Sequence, residues 1–293
     1  MGRPPGRGDR AVRPGTRFPR RTFGARALLV AGCLCLLPTA LGAGAGLLGW
    51  LPHDPTAFVA LPHAPPGPGL WLGADALGRD LLARLASASA RFAGPALLAV
   101  ATAAVLGSAL GLAEGLLPPF FRALATGVSQ AVDGVPKLVA VLLVAAVTGS
   151  DLAWIMAAVG VSFAPQVAEP IRSSIERLRS LAFIEAARSL GVGGWRVVFL
   201  HVLWGHGRRV LLAQATSLLS FAVLAEASLS YLGGELGVQE PAASWGNMLA
   251  LARDGVFRGH WLPVAAPAAL LALTLLGLHL VGRGILERIE GRP

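Results

Sequence analysis

The sequence predicts an all-α membrane protein with six transmembrane helices. Of its 293 residues, 54% are hydrophobic and only 14% are charged. Six stretches of roughly 16 to 25 residues are nearly free of charge, and at ~1.5 Å rise per residue each can cross a hydrocarbon core of about 30 Å. A soluble chain of this length would need a more highly charged surface. An outer-membrane barrel is excluded, because its strands are short and alternate in polarity.

The predicted elements follow in order along the chain. Residues 1–26 hold eight Arg and one Asp without apolar periodicity, which predicts a disordered basic tail. We predict the first transmembrane helix at 27–51, an extracytoplasmic segment at 52–91, a core of five helices at 92–282 and a second tail at 283–293. The core helices are expected at about 92–114, 131–150, 152–169, 210–232 and 261–282.

The uncharged run at 27–51 has two interpretations. The residues Arg20-Arg21-Thr22-Phe23 resemble a twin-arginine export signal, and Ala43-Gly44-Ala45 offers a cleavage pattern of small residues. Alternatively, the run is an uncleaved helix whose basic flank stays in the cytoplasm. Its length exceeds a typical signal core and five more spans follow, so the uncleaved helix is favoured.

Charge asymmetry predicts the orientation in the membrane. The segments 1–26, 171–209 and 283–293 are net basic, whereas 52–91 is neutral and 233–260 is net acidic. With six spans, all the basic segments fall on one side, as the positive-inside rule requires. Both termini are therefore expected in the cytoplasm.

The long segment 166–209 is too polar to cross the membrane. Its apolar residues recur every three or four positions from Val167 to Ala182, which predicts an amphipathic helix. Gly191 supplies a stop, because glycine adopts left-handed dihedrals at little cost, and a second short helix is expected at about 195–204. Such a helix–glycine–helix unit can dock on a partner or lie on acidic lipid head groups.

Five motifs follow one another along the chain. They are LGADALGRDLLARL at 72–85, Asp133 with Pro136, Glu185-Ala186-Ala187 with Gly191, AEASLSYLG at 225–233 and SWGNML at 244–249. In order and spacing they resemble the motifs of the permease subunits of the dipeptide/oligopeptide/nickel family of ABC importers, and the resemblance covers roughly residues 70 to 293.

The resemblance implies a type I ABC-importer permease fold in a bacterial or archaeal cytoplasmic membrane. Its implied partners are two ATP-binding subunits, a second related permease, an extracytoplasmic substrate-binding protein and membrane lipid. Segment 171–207 corresponds to the family's cytoplasmic EAA coupling loop. Within it, Glu185, Ala186, Ala187 and Gly191 are the implied contact-forming or turn-setting positions for the ATPases. The loop departs from the family at Trp204-Gly205, where Pro-Asn is usual.

Composition excludes several other functions. The only lysine, Lys137, follows Pro136, so the chain lacks the Gly-Lys pair of a phosphate-binding loop. Cys33 and Cys35 lie in an apolar run and are interpreted as small hydrophobic residues. We expect no catalytic residues, no metal site and no cofactor. The basic charge comes from arginine in an Arg-, Ala-, Gly- and Pro-rich chain, and does not by itself indicate nucleic-acid binding.

Four ionisable residues fall within the predicted spans, where such groups are costly and by default mark function. Asp133 and Lys137 are four residues apart and can form a structural ion pair, or Asp133 can line the translocation path. Glu226 can line the path or form a hydrogen bond at a subunit interface. His279 is interpreted as an interface or snorkelling residue rather than a ligand.

The extracytoplasmic loop and the overall mechanism keep alternatives open. Trp245 and Asn247 can dock the binding protein or pack the cap of the pore. A secondary, ion-coupled transporter using Glu226 or Asp133 is the alternative function, and a membrane anchor without transport is a third possibility. Neither needs the helix–glycine–helix unit. The family pattern is shared by transporters of dipeptides, longer peptides, nickel chelates and similar solutes, so the substrate stays open.

Overall fold

The computed structural model describes residues 24–149, 151–179, 208–233 and 236–290. Within these ranges the chain forms eight helices, and isolated bridges are its only β-type pairings. Five helices are long and apolar enough to span a membrane, and a bent pair makes a sixth candidate. This confirms the predicted all-α membrane fold. The helices are α1 Ala25–Leu48, α2 Leu81–Leu116, α3 Pro119–Asp133, α4 Lys137–Thr148, α5 Leu152–Arg179, α6 Arg208–Leu232, α7 Trp245–Val256 and α8 Leu262–Glu290.

Two helices are longer than the expected spans. The second begins at Leu81 rather than near 92, because the Asp80 carboxylate accepts hydrogen bonds from the Leu82 and Ala83 amides and so caps the helix. The helix that follows Asp151 continues to Arg179, so the expected fourth span and the amphipathic segment after it are one element through that residue.

The expected third span at 131–150 is interrupted. The α3 and α4 helices meet at an angle of 81°. Proline lacks the amide that would continue the helical ladder, and it disfavours a helical conformation in the residue before it. Pro136 therefore ends the first helix and starts the second, and Asp133 lies at the end of α3.

Small residues bring α2 and α5 close together, and these two helices run parallel. The small residues of α2 recur at every fourth position, so they form one stripe along the helix. A β-carbon at Gly107 or Gly111 would lie 2.6 Å from the Ala164 or Ala168 carbonyl oxygen of α5. Close backbone approach of this kind is a common way to pack transmembrane helices. The stripe consists of Ala99, Ala103, Gly107, Gly111 and Gly115.

We expect Gly111→Ala to lower the free energy of unfolding by about 1–3 kcal/mol, as overpacking of a tight interface does. The contact is with backbone, so no side-chain rotation relieves it. Gly94→Ala on the same helix is the matched control, because no atom lies within 4 Å of its added methyl group. Thermal unfolding in detergent measures the effect, and equal midpoints for the two variants would contradict the packing account.

The first helix packs against the last. Glycines at both helices allow close contact: Gly32 faces Gly277 and Val281, and Gly284 faces Ala25. The Thr39 and Thr274 hydroxyls are 2.6 Å apart. The α1 and α8 helices therefore run antiparallel and join the start of the described chain to its end.

The two ends of the bundle differ in their charged residues. The last turns of α1 contact the first turns of α2, where Gly46 meets Ala86. One end, termed the Arg79 end, contains the starts of α2 and α8, the end of α6, and the whole of α7. The opposite Arg172 end gathers the end of α2 and the last turns of α5.

Candidate functional site

A polar cavity of about 780 Å³ opens between α2, α3, α5 and α6 toward the Arg172 end. Charged side chains of both signs contribute to its wall, which is unusual among membrane-spanning helices. Asp133, a predicted path residue, is part of the wall. The lining residues are Glu114, Thr126, Ser129, Gln130, Asp133, Pro165, Gln166, Glu169, Pro170, Arg172, Ser173, Arg177 and Gln214.

Arg172 of α5 is the centre of the charged wall. Its guanidinium group lies 2.7 Å from Glu169 and 2.9 Å from Glu176, which are one turn before and one turn after it on the same helix. Its Nε atom lies 3.6 Å from the Glu114 carboxylate of α2. One cation thus serves three carboxylates, and two helices meet through it.

Glu114 is the most deeply buried of these carboxylates, with only 4% of its surface exposed. It accepts a hydrogen bond from the Ser129 hydroxyl of α3. A buried charge needs both a counter-ion and hydrogen bonds to be tolerated. Arg172 and Ser129 supply one of each, from two different helices.

Asp133 both lines the cavity and forms an ion pair. Its carboxylate is 3.2 Å from Lys137 Nζ across the α3–α4 bend. Lys137 also lies 5.4 Å from the centre of the Phe163 ring of α5, close enough for a cation–π attraction. The ion pair bridges the α3–α4 bend at Pro136, and the Asp133 carboxylate is accessible from the cavity.

Glu226 lies outside this cavity, near the Arg79 end. Its carboxylate accepts a hydrogen bond of 2.8 Å from Ser230, and only 5% of the residue is exposed. Ser230 in turn accepts the Val238 amide at 2.9 Å. Glu226 therefore helps to fold the chain after α6 back onto that helix. Its role as a path residue stays a prediction.

Trp245 and Asn247 are both buried at the start of α7. The Asn247 side chain bonds the Ser244 amide while Ser244 caps the Asn247 amide, a reciprocal capping box. Asn247 also donates to the Ala242 and Val238 carbonyls at 2.8 and 3.1 Å. The Asn247 contacts hold the loop before α7, and Trp245 is only 3% exposed. Docking of a binding protein through these two residues stays a prediction.

A network of ion pairs at the Arg79 end was not predicted. Its members Arg79, Arg84 and Asp75 are buried, whereas the Glu240 side chain is 39% exposed. Arg79 pairs with Asp75 at 2.8 Å and with Glu240, and Arg84 pairs with Glu240 at 2.9 Å. Burial lowers the pKa of Arg79, but the hydrogen bonds and charges of Glu240 and Asp75 outweigh it and raise that pKa above its ordinary value. The acids at 75 and 240 lie far apart in sequence, so only the motif around Arg79 hinted at this site.

Two histidines join the segment before α2 to the α7–α8 connection. The His63 and His260 rings stack with centroids 4.2 Å apart. Partial burial lowers the pKa of His63, and His260 adds to this effect, as does Arg258, while Asp75 opposes it. The contact thus favours neutral imidazole.

Elsewhere, His53 lies 2.8 Å from Asp80. Within the described ranges, no three His, Cys, Asp or Glu side chains group to hold a metal ion.

We expect the His63–His260 contact to loosen in acid. While the two rings are stacked, the pKa of His63 is lower than its ordinary value of 6.5. Protonation of His63 therefore favours separation of the two rings, and the contact weakens as the pH falls below 6.5. Hydrogen exchange at about pH 7.5 and about pH 5.5, corrected for intrinsic rates, should show faster exchange around His63 in acid. His63→Gln removes the titrating group and should flatten this dependence. The same acid response in that variant would contradict the explanation.

The predicted coupling positions lie outside the described residues. Glu185, Ala186, Ala187 and Gly191 belong to segment 180–207, as does the Trp204-Gly205 departure. The helix that leads into this segment is α5, which carries Arg172. His279, the fourth ionisable span residue, is exposed on α8.

Comparison with known proteins gives a consistent result. Residues 103–292 match the family model described as binding-protein-dependent transport system inner membrane component. The chain is 29% identical over 286 residues to the glutathione transport system permease protein GsiD of Pectobacterium atrosepticum, covering 96% of this chain and 93% of the relative. It is 31% identical over 243 residues to the Probable D,D-dipeptide transport system permease protein DdpC of Escherichia coli, covering 82% and 80%.

Proposed function

The chain belongs to the family of binding-protein-dependent transport system inner membrane components, and from this premise we propose that it is the transmembrane subunit of an ATP-driven importer of peptides or similar small solutes. It would move its cargo by alternating access, without catalytic residues of its own. ATP hydrolysis belongs to separate partner subunits. The observation that carries the proposal is the polar cavity, because an ion-lined space among membrane-spanning helices is typical of a solute path.

The cavity also supports a second permease subunit. The Asp133 side chain is 56% exposed, and the cavity wall carries three further ionic groups from α5. Hydrocarbon cannot solvate such groups. A related subunit facing the open side would cover them and complete the path, with membrane lipid around the apolar faces.

The proposed cargo class rests on the relatives and on the charges of the wall. The names of the two relatives refer to glutathione and to a D,D-dipeptide. Carboxylates and guanidinium groups stand together in the cavity, and a zwitterionic solute has a complementary group for each. Peptides or similar small solutes therefore fit best, and an extracytoplasmic binding protein would deliver them.

Coupling is assigned to segment 171–207. The first residues of this segment, 171–179, are the last turns of α5, and the same helix lines the cavity. A push on the loop therefore reaches the cavity wall through one continuous helix. In this proposal Glu185 makes charge-assisted bonds with an ATPase, Ala186 and Ala187 allow close docking, and Gly191 sets the turn. The positive-inside rule places this loop and both termini in the cytoplasm. The packing of α1 against α8 supports a retained first helix.

Replacing Glu185 with Lys should reduce co-purification of the ATP-binding subunits about tenfold, because a charge-assisted contact becomes a repulsive one. The test is affinity purification of the full complex from membranes, with the ATPase-to-permease ratio as the result. Glu287→Lys in α8 makes the same change away from the loop and should leave the ratio unchanged. Equal recovery in both variants would remove the role proposed for Glu185.

A further inference from the structure

Glu114 is a buried acid whose position the transport proposal does not use. It lies near the end of α2 between Gly111 and Gly115, the two glycines that bring α2 against α5. A carboxylate in such a tightly packed place is costly unless it is paired with a cation and hydrogen-bonded. Its two partners lie on two other helices, Arg172 on α5 and Ser129 on α3.

The α2 and α5 helices behave as one body. They are in close contact from Ala99 to Gly115 of α2. A β-carbon added at Gly107, Gly111 or Gly160 would lie within about 3 Å of atoms on the other helix. Interfaces packed this closely resist sliding. A push on the end of α5 therefore moves α2 with it, and Glu114 moves as part of the pair.

The α3 helix is attached to this pair much more weakly. Ala125 is the one residue of α3 that is buried, and bulky apolar side chains such as Phe120 and Leu124 are largely exposed. The Ser129 hydroxyl, bound to Glu114, ties α3 to α2 one turn before Asp133. The hydrogen bond to a charged carboxylate is stronger than one between neutral groups.

Arg172 controls how firmly the carboxylate is held. It shares its charge among Glu169, Glu176 and Glu114, and the two acids on its own helix are the nearer ones. A rotation of the Arg172 side chain therefore shifts the guanidinium group between its own-helix acids and Glu114. Contacts that can exchange in this way give two discrete arrangements rather than a continuous one.

We propose that Glu114 is the positioning residue of a latch: it holds Ser129, and with it α3, on the α2–α5 pair, and release of this contact lets the cavity wall open during the transport cycle. The proposal rests on the proposed function, since the push on α5 comes from the ATPases. It assigns to Glu114 the step in which movement of the coupling loop reaches Asp133.

The test measures how accessible Ala125 becomes. In the full complex, with Cys33 and Cys35 replaced by Ala, Ala125→Cys is labelled with a maleimide. Ser129→Ala and Glu114→Ala should each speed labelling about tenfold, as loss of one hydrogen bond to a charged group implies. Ser129→Thr restores the hydroxyl and should restore slow labelling. ATP should speed labelling in the parent protein and have little further effect in Ser129→Ala.

Thr126→Val, on the same helix and also in the cavity wall, is the matched control and should leave labelling slow. Any one of three results would overturn the latch: unchanged labelling in Ser129→Ala, equal labelling rates in Thr126→Val and Ser129→Ala, or no rescue by Ser129→Thr. ATP-dependent uptake of radiolabelled Ala-Ala dipeptide and glutathione by the same vesicles reports separately on the proposed function. Uptake that needs ATP together with ATP-independent labelling would overturn only the latch.

Discussion

Gly191→Trp should abolish ATP-dependent uptake while leaving the protein inserted in the membrane at its normal level. Gly191 is the predicted turn between the two helices of the coupling loop, and a residue with a β-carbon costs roughly 1–2 kcal/mol in left-handed dihedrals. The indole ring adds bulk where a partner surface is expected to close on the loop. Both effects separate the permease from the ATPase without touching the transmembrane helices.

The measurement is uptake of a labelled peptide into vesicles that contain the complex and ATP. Gly94→Trp is the matched control, since Gly94 of α2 has open space around it, and it should retain uptake. ATPase activity in the Gly191→Trp complex should lose its response to the binding protein. Normal uptake by the Gly191→Trp variant would contradict the coupling role proposed for Gly191.

Arg79→Met should lower the free energy of unfolding by about 3 kcal/mol, because it removes the closer of the two cationic partners of a buried acid. Asp75 is only 5% exposed, and its remaining cationic contact is Arg84 at 3.4 Å. Glu240 would lose one of its two arginine partners as well. The segment before α2 and the loop before α7 should then separate together.

Thermal unfolding of the purified complex in lipid nanodiscs measures this loss. Arg253→Met provides the control, because Arg253 pairs with Asp254 at 3.4 Å and both side chains are largely exposed. An exposed pair of this kind contributes about 0–1 kcal/mol. Equal unfolding midpoints for Arg79→Met and Arg253→Met would show that the buried network does not hold the Arg79 end.

Hydropathy was sufficient to predict the membrane-spanning helices, but not where they start or bend. The α2 helix begins well before the expected span at 92–114, and its additional turns contain Arg84 and Arg91. Arg84 is buried with Asp75 and Glu240 as its ionic partners. Glu240 lies more than 150 positions later, and no local pattern carries that contact. The interruption of the third span did have a local signal, Pro136, whose effect on α3 and α4 is the ordinary one.

The candidate site was predicted in part. Asp133 stood out as an ionisable residue in a span, and the cavity includes it. Glu114 and Arg172 each look unremarkable in sequence, one at the end of a span and the other on the polar side of an amphipathic helix. They meet only because the small-residue stripe makes α2 and α5 parallel neighbours. Ser129 joins them through the turn between α2 and α3.

The measurement that tests the central claim most directly is cargo accumulation by vesicles that contain the permease pair, with and without the ATP-binding subunits. With those subunits, the binding protein and ATP, labelled peptide should accumulate against its gradient, and omission of either the subunits or ATP should stop it. Accumulation that persists without the ATP-binding subunits, and that collapses when a proton or ion gradient is removed, would contradict the account.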